Sequence, residues 1–399
     1  MVSVKEHYEA YPYPERNPKD EGKRLITGSP SHPVELDHYL FAGQRDWTKP
    51  LRVLVAGGGT GDGLIQLAHF LKLAKRPHQI TYVDLSTASR AVAEERASLR
   101  GVTENITFHT ASLLDAADFG DFDYIDCCGV LHHLPDPDAG FRALRAALAP
   151  GGGMGFMVYA PLGRSGVYPL QAAFGAMFAD LPPKKRLKAA KAAFAKLPEG
   201  HPFKRNPHLG DHRDSDAGFY DLLLHGQDRA YDVPDLVATL GRTGWALSSF
   251  TTPSYYDPTR FAPVPAGMDP VARMALAEQL CGSMRLHIAY AVAADASAGR
   301  IADGRAPTLV PHLIGVAPGV LAKAVAEGRP IPVTMGGERN ALKLPRDAAP
   351  LLAQVNGRHT LGDIAKGAGL DPIRFAALWG RAADKLSGWG LLLYSGLLR

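Results

Sequence analysis

The sequence predicts a doubly wound α/β fold, and three observations lead to this prediction. Short apolar runs alternate with amphipathic segments between Leu51 and Tyr159, a pattern typical of a parallel sheet covered by helices on both faces. Glycines cluster directly after the first apolar run. Residues suited to ligand binding follow several of the predicted strands, at the sheet edge where such folds bind ligands. The predicted strands cover 51–56, 80–84, 106–109, 124–128 and 155–159, and the predicted helices cover 63–74, 87–100 and 139–148.

The glycine cluster Gly57-Gly58-Gly59-Thr60-Gly61 lies between the first strand and the first helix. Glycines at such a turn allow the backbone to approach a ligand closely, and Asp84 ends the next strand, where a carboxylate can hold two ribose hydroxyls. The spacing G-x-G-x-G differs from the G-x-G-x-x-G pattern of dinucleotide sites, and Gly61 is followed by Asp62 rather than by the lysine of a P-loop. The pattern therefore predicts a cofactor that contains adenosine but is not a dinucleotide.

Five ordered segments resemble the class I S-adenosylmethionine-dependent methyltransferases. They are VLVAGGGTG, YVDLS, ITFHTASLLD, FDYIDCCGVLHHLPDP and ALAPGGGMGFMVYA. The resemblance covers Leu51 to Tyr159 through these motifs, and it extends to about Ala293 in architecture alone. It implies a Rossmann-like, doubly wound seven-stranded sheet whose final strand is antiparallel, with S-adenosyl-L-methionine as the cofactor.

The resemblance also implies which residues bind the cofactor. The glycine loop lies under its methionine part, the acidic residue binds the ribose, and the third segment contacts the adenine. We therefore expect the cofactor to contact Gly57, Gly58, Gly59, Gly61, Asp84, Leu85, Ser112, Leu113 and Gly129.

Two positions depart from the family pattern. Many members carry Asp or Glu where this chain has Val55, at a position that helps to organise the methionine amino group. Asp62 is a nearby carboxylate that could serve instead. Members commonly have Asp at the position of Ser112, whose hydroxyl can still form a hydrogen bond with the adenine.

The candidate catalytic residues follow the fourth and fifth strands. In the resembling family the acceptor attacks the methyl group in line, so positioning is the main task, and a base is needed only for a protonated oxygen or nitrogen. His132 and His133 follow the fourth strand and could take that proton, although one of them could instead pack beneath the cofactor. Tyr159 could orient the acceptor, and Arg164 could bind a substrate carboxylate or phosphate.

Residues 1–50 form a Tyr/Pro-rich arm with a short predicted helix at 34–44. A similar Tyr-Pro-Tyr-Pro arm precedes the glycine loop in a set of bacterial methyltransferases. The arm either packs on the domain through its rings or closes over the cofactor as a lid, and these two interpretations are compatible. In the second interpretation Tyr11 and Tyr13 contact the cofactor.

The chain divides into the arm, a methyltransferase domain at 51–295 and a C-terminal domain at 305–399. Residues 161–227 interrupt the alternation, and we interpret them as a helical cap insertion. Its basic stretch, Lys184 to Arg205, is either a solvated helix face or a platform for an acidic substrate such as RNA. The C-terminal pattern of short helices and a final strand predicts a winged-helix-like module. Because the predicted recognition helix, Ile373 to Gly388, offers few basic side chains, dimerisation or protein docking is favoured over DNA binding.

Composition restricts the remaining classes. The net charge is +4, which does not demand a nucleic-acid partner, although it does not exclude one. Cys127, Cys128 and Cys281 show no metal-ligand spacing, so we expect neither a metal site nor a disulfide framework. The N-terminus lacks the apolar core of a signal peptide, and no apolar run is long enough to cross a membrane, which favours a cytoplasmic protein.

The sequence thus predicts an enzyme that moves a methyl group from S-adenosylmethionine to an unidentified oxygen, nitrogen or carbon acceptor. A small-molecule acceptor is favoured because the His-His-Leu-Pro-Asp string is commoner among such methyltransferases. Two alternatives remain open. One is a protein or RNA methyltransferase, and the other is a catalytically decayed regulatory protein that binds the cofactor and acts through its C-terminal module.

Overall fold

A seven-stranded mixed sheet forms the centre of the protein. The computed structural model describes residues 4–296 and 300–399. The sheet has the strand order β3-β2-β1-β4-β5-β7-β6. Its members are β1 (Leu51–Ala56), β2 (His78–Asp84), β3 (Ile106–Thr110), β4 (Phe122–Cys128), β5 (Leu148–Tyr159), β6 (Trp245–Phe250) and β7 (Leu286–Ala293).

Strands β1 to β5 are parallel, whereas β7 pairs antiparallel with both β5 and β6. This arrangement confirms the predicted Rossmann-like α/β sheet, including its antiparallel final strand. The carboxyl ends of β1, β2, β4 and β5 lie at one edge, and this edge carries the glycine loop and Asp84.

Helices cover both faces of the sheet. One face packs against α2 (Pro33–Leu40), α3 (Asp62–Leu73) and α4 (Thr87–Arg100), and the other packs against α5 (Pro137–Ala146), α11 (Val233–Arg242) and α12 (Pro270–Cys281). Successive β1 residues face opposite sides of the sheet. Val53 and Val55 pack in the hydrophobic cluster on the side of α2, α3 and α4, whereas Leu54 and Ala56 pack in the cluster on the side of α5, α11 and α12. This alternation is the reason that β1 reads as a continuous apolar run.

The predicted cap insertion is helical. It contains α6 (Val167–Phe178), α7 (Pro183–Ala195), α8 (Pro202–Arg205), α9 (Asp211–Asp214) and α10 (Asp216–Leu224). All of these helices except α9 contribute to a separate hydrophobic cluster. The basic stretch is divided between α7 and α8 rather than lying on one helix, because Pro198 interrupts it. Its Arg186 is buried, with the guanidinium 5.8 Å from the centre of the Tyr220 ring.

The arm begins with α1 (Val4–Ala10) and is attached to the glycine loop by buried ion pairs. Arg96 of α4 is 1% exposed and pairs with Glu21 at 2.6 Å and with Asp62 at 2.7 Å. It also donates to the carbonyl of Thr60 at 2.7 Å. Asp62 also forms an ion pair with the guanidinium of Arg16 at 2.6 Å. One arginine thus joins the arm, the glycine loop and α4.

The C-terminal region contains two small two-stranded sheets and four helices. They are β8 (Pro311–Leu313), α13 (Pro318–Ala326), β9 (Ile331–Met335), β10 (Glu338–Leu342), α14 (Ala349–Leu352), α15 (Leu361–Gly367), α16 (Pro372–Gly388) and β11 (Leu392–Tyr394). The sequence analysis did not predict β8, α13 or the β9–β10 hairpin. The capping box at Thr360 is present, with Thr360 and Asp363 exchanging side-chain and backbone hydrogen bonds. The winged-helix assignment itself stays a prediction.

This region packs on the N-terminal part of the chain rather than standing apart. Asp37 of α2 is fully buried and accepts from Ser395 Oγ at 2.6 Å and from Trp47 Nε1 at 2.9 Å. Leu393 and Leu397 belong to the same hydrophobic cluster as Val53 of β1. The C-terminal residues therefore contribute to the core beneath the central sheet.

Some predicted boundaries differ from the observed ones for identifiable reasons. The structure extends β5 back to Leu148, through Gly151-Gly152-Gly153, whereas the predicted strand covered only 155–159. A Cβ on Gly153 would lie 2.5 Å from a Leu40 methyl group, so glycine in this strand permits α2 to pack closely. The helix predicted at 34–44 ends at Leu40, because Ala42 and Gly43 have left-handed φ angles of 56° and 68°.

Within the described residues, no helix is both long and apolar enough to cross a membrane.

We predict that Arg96→Ala destabilises the fold by about 3–5 kcal/mol, because it leaves the buried Glu21 carboxylate with one fewer cationic partner. Chemical denaturation followed by circular dichroism measures this change. The matched control is Arg142→Ala, which removes an exposed pair with Asp136 and should cost less than about 1 kcal/mol. Equal stability losses in the two variants would show that the Arg96 network does not hold the arm.

Candidate functional site

A cavity of about 510 Å³ opens at the carboxyl ends of the parallel strands. The glycine loop and the ends of β2, β4 and β5 form its floor, whereas the arm and the cap form its opposite wall. Its volume lies within the range of pockets that enclose drug-sized ligands, about 300–1,000 Å³. The cavity is therefore large enough for a nucleoside-containing cofactor.

The glycine loop forms a surface that side chains would obstruct. Gly57 and Gly59 have φ angles of +69° and +52°, in the left-handed region that favours glycine. A Cβ on Gly57 would lie 2.5 Å from a methyl group of Val130. Gly57, Gly58 and Gly59 line the cavity, whereas Gly61 precedes α3 and faces Ala93 of α4. Gly61 thus allows two helices to approach rather than contacting the cavity.

Asp84 lies at the end of β2 and supports the glycine loop. One carboxylate oxygen accepts from the Gly59 N–H at 2.8 Å, and the other accepts from the Ser86 N–H at 2.8 Å. Burial raises the pKa of Asp84, and these backbone donors oppose that shift. Leu85, the next residue, also lines the cavity. The carboxylate is in the position predicted for a ribose ligand.

The wall beyond β3 and β4 contains the residues predicted for the adenine end. Ser112, Leu113 and Gly129 all line the cavity. The Ser112 hydroxyl accepts from the Leu114 N–H at 3.1 Å, so it begins the turn after β3. Leu113 is buried and offers an apolar surface, and Gly129 has a φ angle of +80° directly after β4.

The arm lies across the glycine loop. Thr60 Oγ1 donates to the carbonyl of Pro14 at 2.7 Å, and Tyr13 lines the cavity. Tyr11 is not among the lining residues, since its ring stacks on Tyr220 of the cap with centroids 4.9 Å apart. The two predicted tyrosines therefore differ in position: Tyr13 faces the cavity and Tyr11 joins the arm to the cap.

A cluster of two tyrosines and one carboxylate also lines the cavity. Tyr8 donates to Asp221 Oδ1 at 3.1 Å, and Tyr159 donates to Asp221 Oδ2 at 3.3 Å. All three line the cavity. Asp221 is 3% exposed, and burial raises its pKa. No lysine or arginine of the described residues forms an ion pair with it, although the positive charge of the nearby Arg164 opposes this shift in pKa.

The two predicted histidines have different surroundings. His133 lines the cavity, and its Nδ1 donates to the carbonyl of Gln227 at 2.9 Å, which leaves the lone pair on Nε2. His132 is not among the lining residues, and its ring packs 3.9 Å from the Tyr159 ring. Neither nitrogen of His132 has a hydrogen-bond partner among the described residues, and burial lowers its pKa well below the usual value. His132 is therefore a packing residue beneath Tyr159 in this arrangement.

Three potential metal ligands, His133, Asp221 and His225, lie within 4.8 Å of one another. The Nδ1 atom of His225 accepts from the Gln227 N–H at 3.1 Å. The neutral ring therefore carries its proton on Nε2, which faces the Tyr8 hydroxyl at 3.4 Å. A protonated Nε2 does not ligate a metal, so we interpret this group as a hydrogen-bond network.

Arg164 lines the cavity but is already paired. It donates to Asp228 at 2.8 Å, and both side chains are almost completely buried. Its guanidinium lies 3.6 Å from the centre of the Tyr159 ring. The pairing neutralises most of the charge that a substrate anion would use, and the stacking fixes the orientation of Tyr159.

The sequence analysis did not select Tyr8, Asp221 or Asp126 as site residues. Tyr8 belongs to the Tyr/Pro-rich segment of the arm, and the unusual composition of that segment was a signal by which Tyr8 could have been selected. Asp221 is a single acid within the apolar run of α10, AGFYDLLL, and a lone charge on a buried helix face would have singled it out. Asp126 is likewise an acid at a fully buried position of β4, whereas Asp123 of the same strand is partly exposed.

Comparisons with known proteins agree with this geometry. Residues 54–154 match the family model described as Methyltransferase domain. An uncharacterized protein of Synechococcus, syc1184_c, is 33% identical over 261 residues, which is 63% of this chain and 60% of that protein. The tRNA 5-carboxymethoxyuridine methyltransferase of Escherichia coli is 35% identical over 111 residues, or 27% of this chain and 40% of that protein. The chain thus spans less than two thirds of either curated relative.

Among solved structures, PKMT2 from Rickettsia typhi is similar in fold. Its TM-score is 0.65 at 16% identity, and the superposition covers 94% of this chain and 77% of that chain. A second structure of the same protein, in complex with AdoHcy, has a TM-score of 0.58 at 14% identity. These similarities extend the shared fold beyond the central sheet.

The sheet, the glycine loop and the family match together define a class I S-adenosylmethionine-dependent methyltransferase domain, and this confirms the resemblance stated from the sequence. The cofactor of this domain is S-adenosylmethionine. The residues present fit it, because the loop backbone is free of side chains and Asp84 ends the strand beside that loop.

We predict that Asp84→Ala weakens the binding of S-adenosylhomocysteine at least about tenfold. The change removes an acceptor for the ribose hydroxyls and also the support of the Gly59 N–H, and each charge-assisted hydrogen bond contributes about 1.5–3 kcal/mol. Isothermal titration calorimetry measures the affinity. Glu94→Ala, which removes a partly exposed carboxylate of α4 outside the cavity, is the control. Unchanged affinity in Asp84→Ala would refute the ribose assignment.

Proposed function

We propose that the protein is an enzyme that transfers the methyl group of S-adenosylmethionine to a nitrogen or oxygen atom of a small molecule. The observation that carries this proposal is a single cavity lined by two chemically different groups of residues. One group is the glycine loop with Asp84, and the other is the cluster of Tyr8, Tyr159 and Asp221. A methyl donor and its acceptor could therefore meet inside one enclosed space.

The second group of residues can receive a proton. Transfer of a methyl group to an N–H or O–H atom leaves a proton to be removed, and a positioned base accelerates such a step by about 10²–10⁴-fold. Asp221 suits this role because its raised pKa brings the carboxyl group nearer to neutrality. The hydroxyls of Tyr8 and Tyr159 hold its two oxygens in place. His133, with a free lone pair on Nε2, is a second candidate base beside it.

The charges around this cluster favour an amine or a neutral hydroxyl over an acidic acceptor. Asp221 forms no direct ion pair among the described residues, and the nearby Arg164 guanidinium is itself paired with Asp228. A protonated amine would supply the missing positive charge on binding. The arm and the cap enclose the cavity, which favours a small molecule over a folded macromolecule.

The protein or RNA alternative rests on the exposed lysines of α7, which include Lys184, Lys185 and Lys188. A role of residues 305–399 in dimerisation or protein docking, a regulatory function without catalysis and a cytoplasmic location all stay predictions.

Incubation with cell extract separated by ultrafiltration distinguishes the acceptor classes. We expect S-adenosylhomocysteine to form with the small-molecule fraction. Methyl incorporation into the macromolecular fraction alone would favour protein or RNA, and a pure sensor would form no product with either fraction.

We predict that Asp221→Asn lowers kcat at least about 100-fold and leaves the affinity for S-adenosylhomocysteine within about twofold. The carboxylate is the active form of the base, so the wild-type rate should fall as pH decreases through the raised pKa of Asp221. The variant should lack this decrease. Initial rates of S-adenosylhomocysteine formation with the small-molecule fraction, measured between pH 5 and 9, test both expectations.

Asp216→Asn is the matched control, because Asp216 lies on the same helix but is exposed and pairs with Lys191. It should retain the wild-type rate and pH profile. An Asp221→Asn enzyme with wild-type kcat would remove Asp221 from the proposed chemistry.

A further inference from the structure

We propose that Asp126 of β4 binds the ammonium group of the cofactor's methionine part and replaces the carboxylate that β1 lacks at Val55. This inference rests on the cofactor assignment and concerns a residue for which the family pattern gives no role. Val55 and Asp126 are register partners in the neighbouring parallel strands β1 and β4. Side chains of such partners lie on the same face of a sheet, about 4.8 Å apart. Asp126 therefore presents its carboxylate beside the position where other members of the family carry theirs.

Asp126 lines the cavity and lies on the far side of β1 from Asp84. Strands β2 and β4 flank β1, so the two carboxylates are separated by about two strand spacings, roughly 10 Å. The glycine loop lies between them. A ligand whose ribose is held at Asp84 and whose amino-acid part crosses the loop reaches the end of β4.

The Asp126 carboxylate is buried without a counter-ion. It is 2% exposed, and its neighbours are two neutral hydroxyls, that of Ser31, which donates to it and also lines the cavity, and that of Tyr124. No lysine, arginine or histidine in residues 4–296 and 300–399 forms an ion pair with it. Burial raises the pKa of Asp126 to about 6, as expected for a carboxylate that lacks a cation. A buried unpaired charge is costly, so a ligand ammonium supplies the partner that the fold leaves out.

Asp62, the other carboxylate near the glycine loop, is already neutralised. Its oxygens accept from Arg16 at 2.6 Å and from Arg96 at 2.7 Å. Because Asp62 already pairs with two guanidiniums, its carboxylate has little electrostatic attraction left for the ammonium group of a ligand. Asp126 is also close to the start of α3, because a Cβ on Gly63 would lie 3.3 Å from Asp126 Oδ2. Glycine at position 63 thus keeps the space next to this carboxylate free of a side chain.

The test is a thermodynamic cycle between Asp126 and the amino group of the ligand. S-adenosylhomocysteine and its analogue without the amino group are titrated calorimetrically into the wild-type protein and into Asp126→Asn. We expect the wild type to bind S-adenosylhomocysteine at least about tenfold more tightly than the analogue, and we expect Asp126→Asn to bind the two ligands within about twofold of each other. Such a result assigns the amino-group preference to Asp126.

Two further measurements make the outcome specific. 5′-Methylthioadenosine, which lacks the amino-acid part, should bind the wild type and Asp126→Asn equally well, and this shows that the variant keeps a folded adenosine site. Asp123→Asn changes a carboxylate of the same strand that lies outside the cavity and pairs with Arg52, and it should keep the wild-type preference.

A preference for the amino group that persists in Asp126→Asn would overturn the assignment, and so would a wild type without any such preference. Either result leaves the cofactor assignment intact, because binding of S-adenosylhomocysteine would still be observed. A wild-type protein that binds neither S-adenosylhomocysteine nor 5′-methylthioadenosine would instead overturn the proposed function, and this inference with it.

Discussion

The site depends on one geometric constraint, which is that parallel strands finish at the same edge of the sheet. Because β1, β2, β4 and β5 all point the same way, residues separated by up to a hundred positions in the chain meet around one cavity. The glycine loop follows β1, Asp84 ends β2 and Tyr159 ends β5, so all three border the cavity at this edge.

The opposite wall of the cavity comes from two segments that the sheet does not organise directly. The arm is held by the ion pairs of Arg96 and Arg16 and by the hydrogen bond from Thr60 to Pro14. The cap supplies Asp221, whose carboxylate accepts from Tyr8 of the arm and Tyr159 of the sheet. That one carboxylate thus joins the arm, the cap and the sheet.

The sequence predicted the central fold well because strand and helix periodicity is local. The bounds of β1 and α4 agree with the prediction, and Asp84 follows β2 as expected, because glycine, apolar runs and caps determine these elements over short distances. Asp126 and Asp221 could not be placed in this way. Their roles arise from strand register and from the packing of the cap on the arm, and both depend on contacts between distant residues. The β9–β10 hairpin was missed because β10, Glu338–Leu342, lacks the alternating apolar residues that Ile331, Val333 and Met335 supply in β9.

The most direct test of the account is calorimetric titration of the full chain with S-adenosylmethionine, S-adenosylhomocysteine and NADH. The glycine spacing, the single carboxylate at the end of β2 and the size of the cavity predict binding of the first two ligands with micromolar dissociation constants and no binding of NADH. Binding of NADH, or the failure of both adenosyl ligands to bind, would contradict the assignment of this cavity to S-adenosylmethionine.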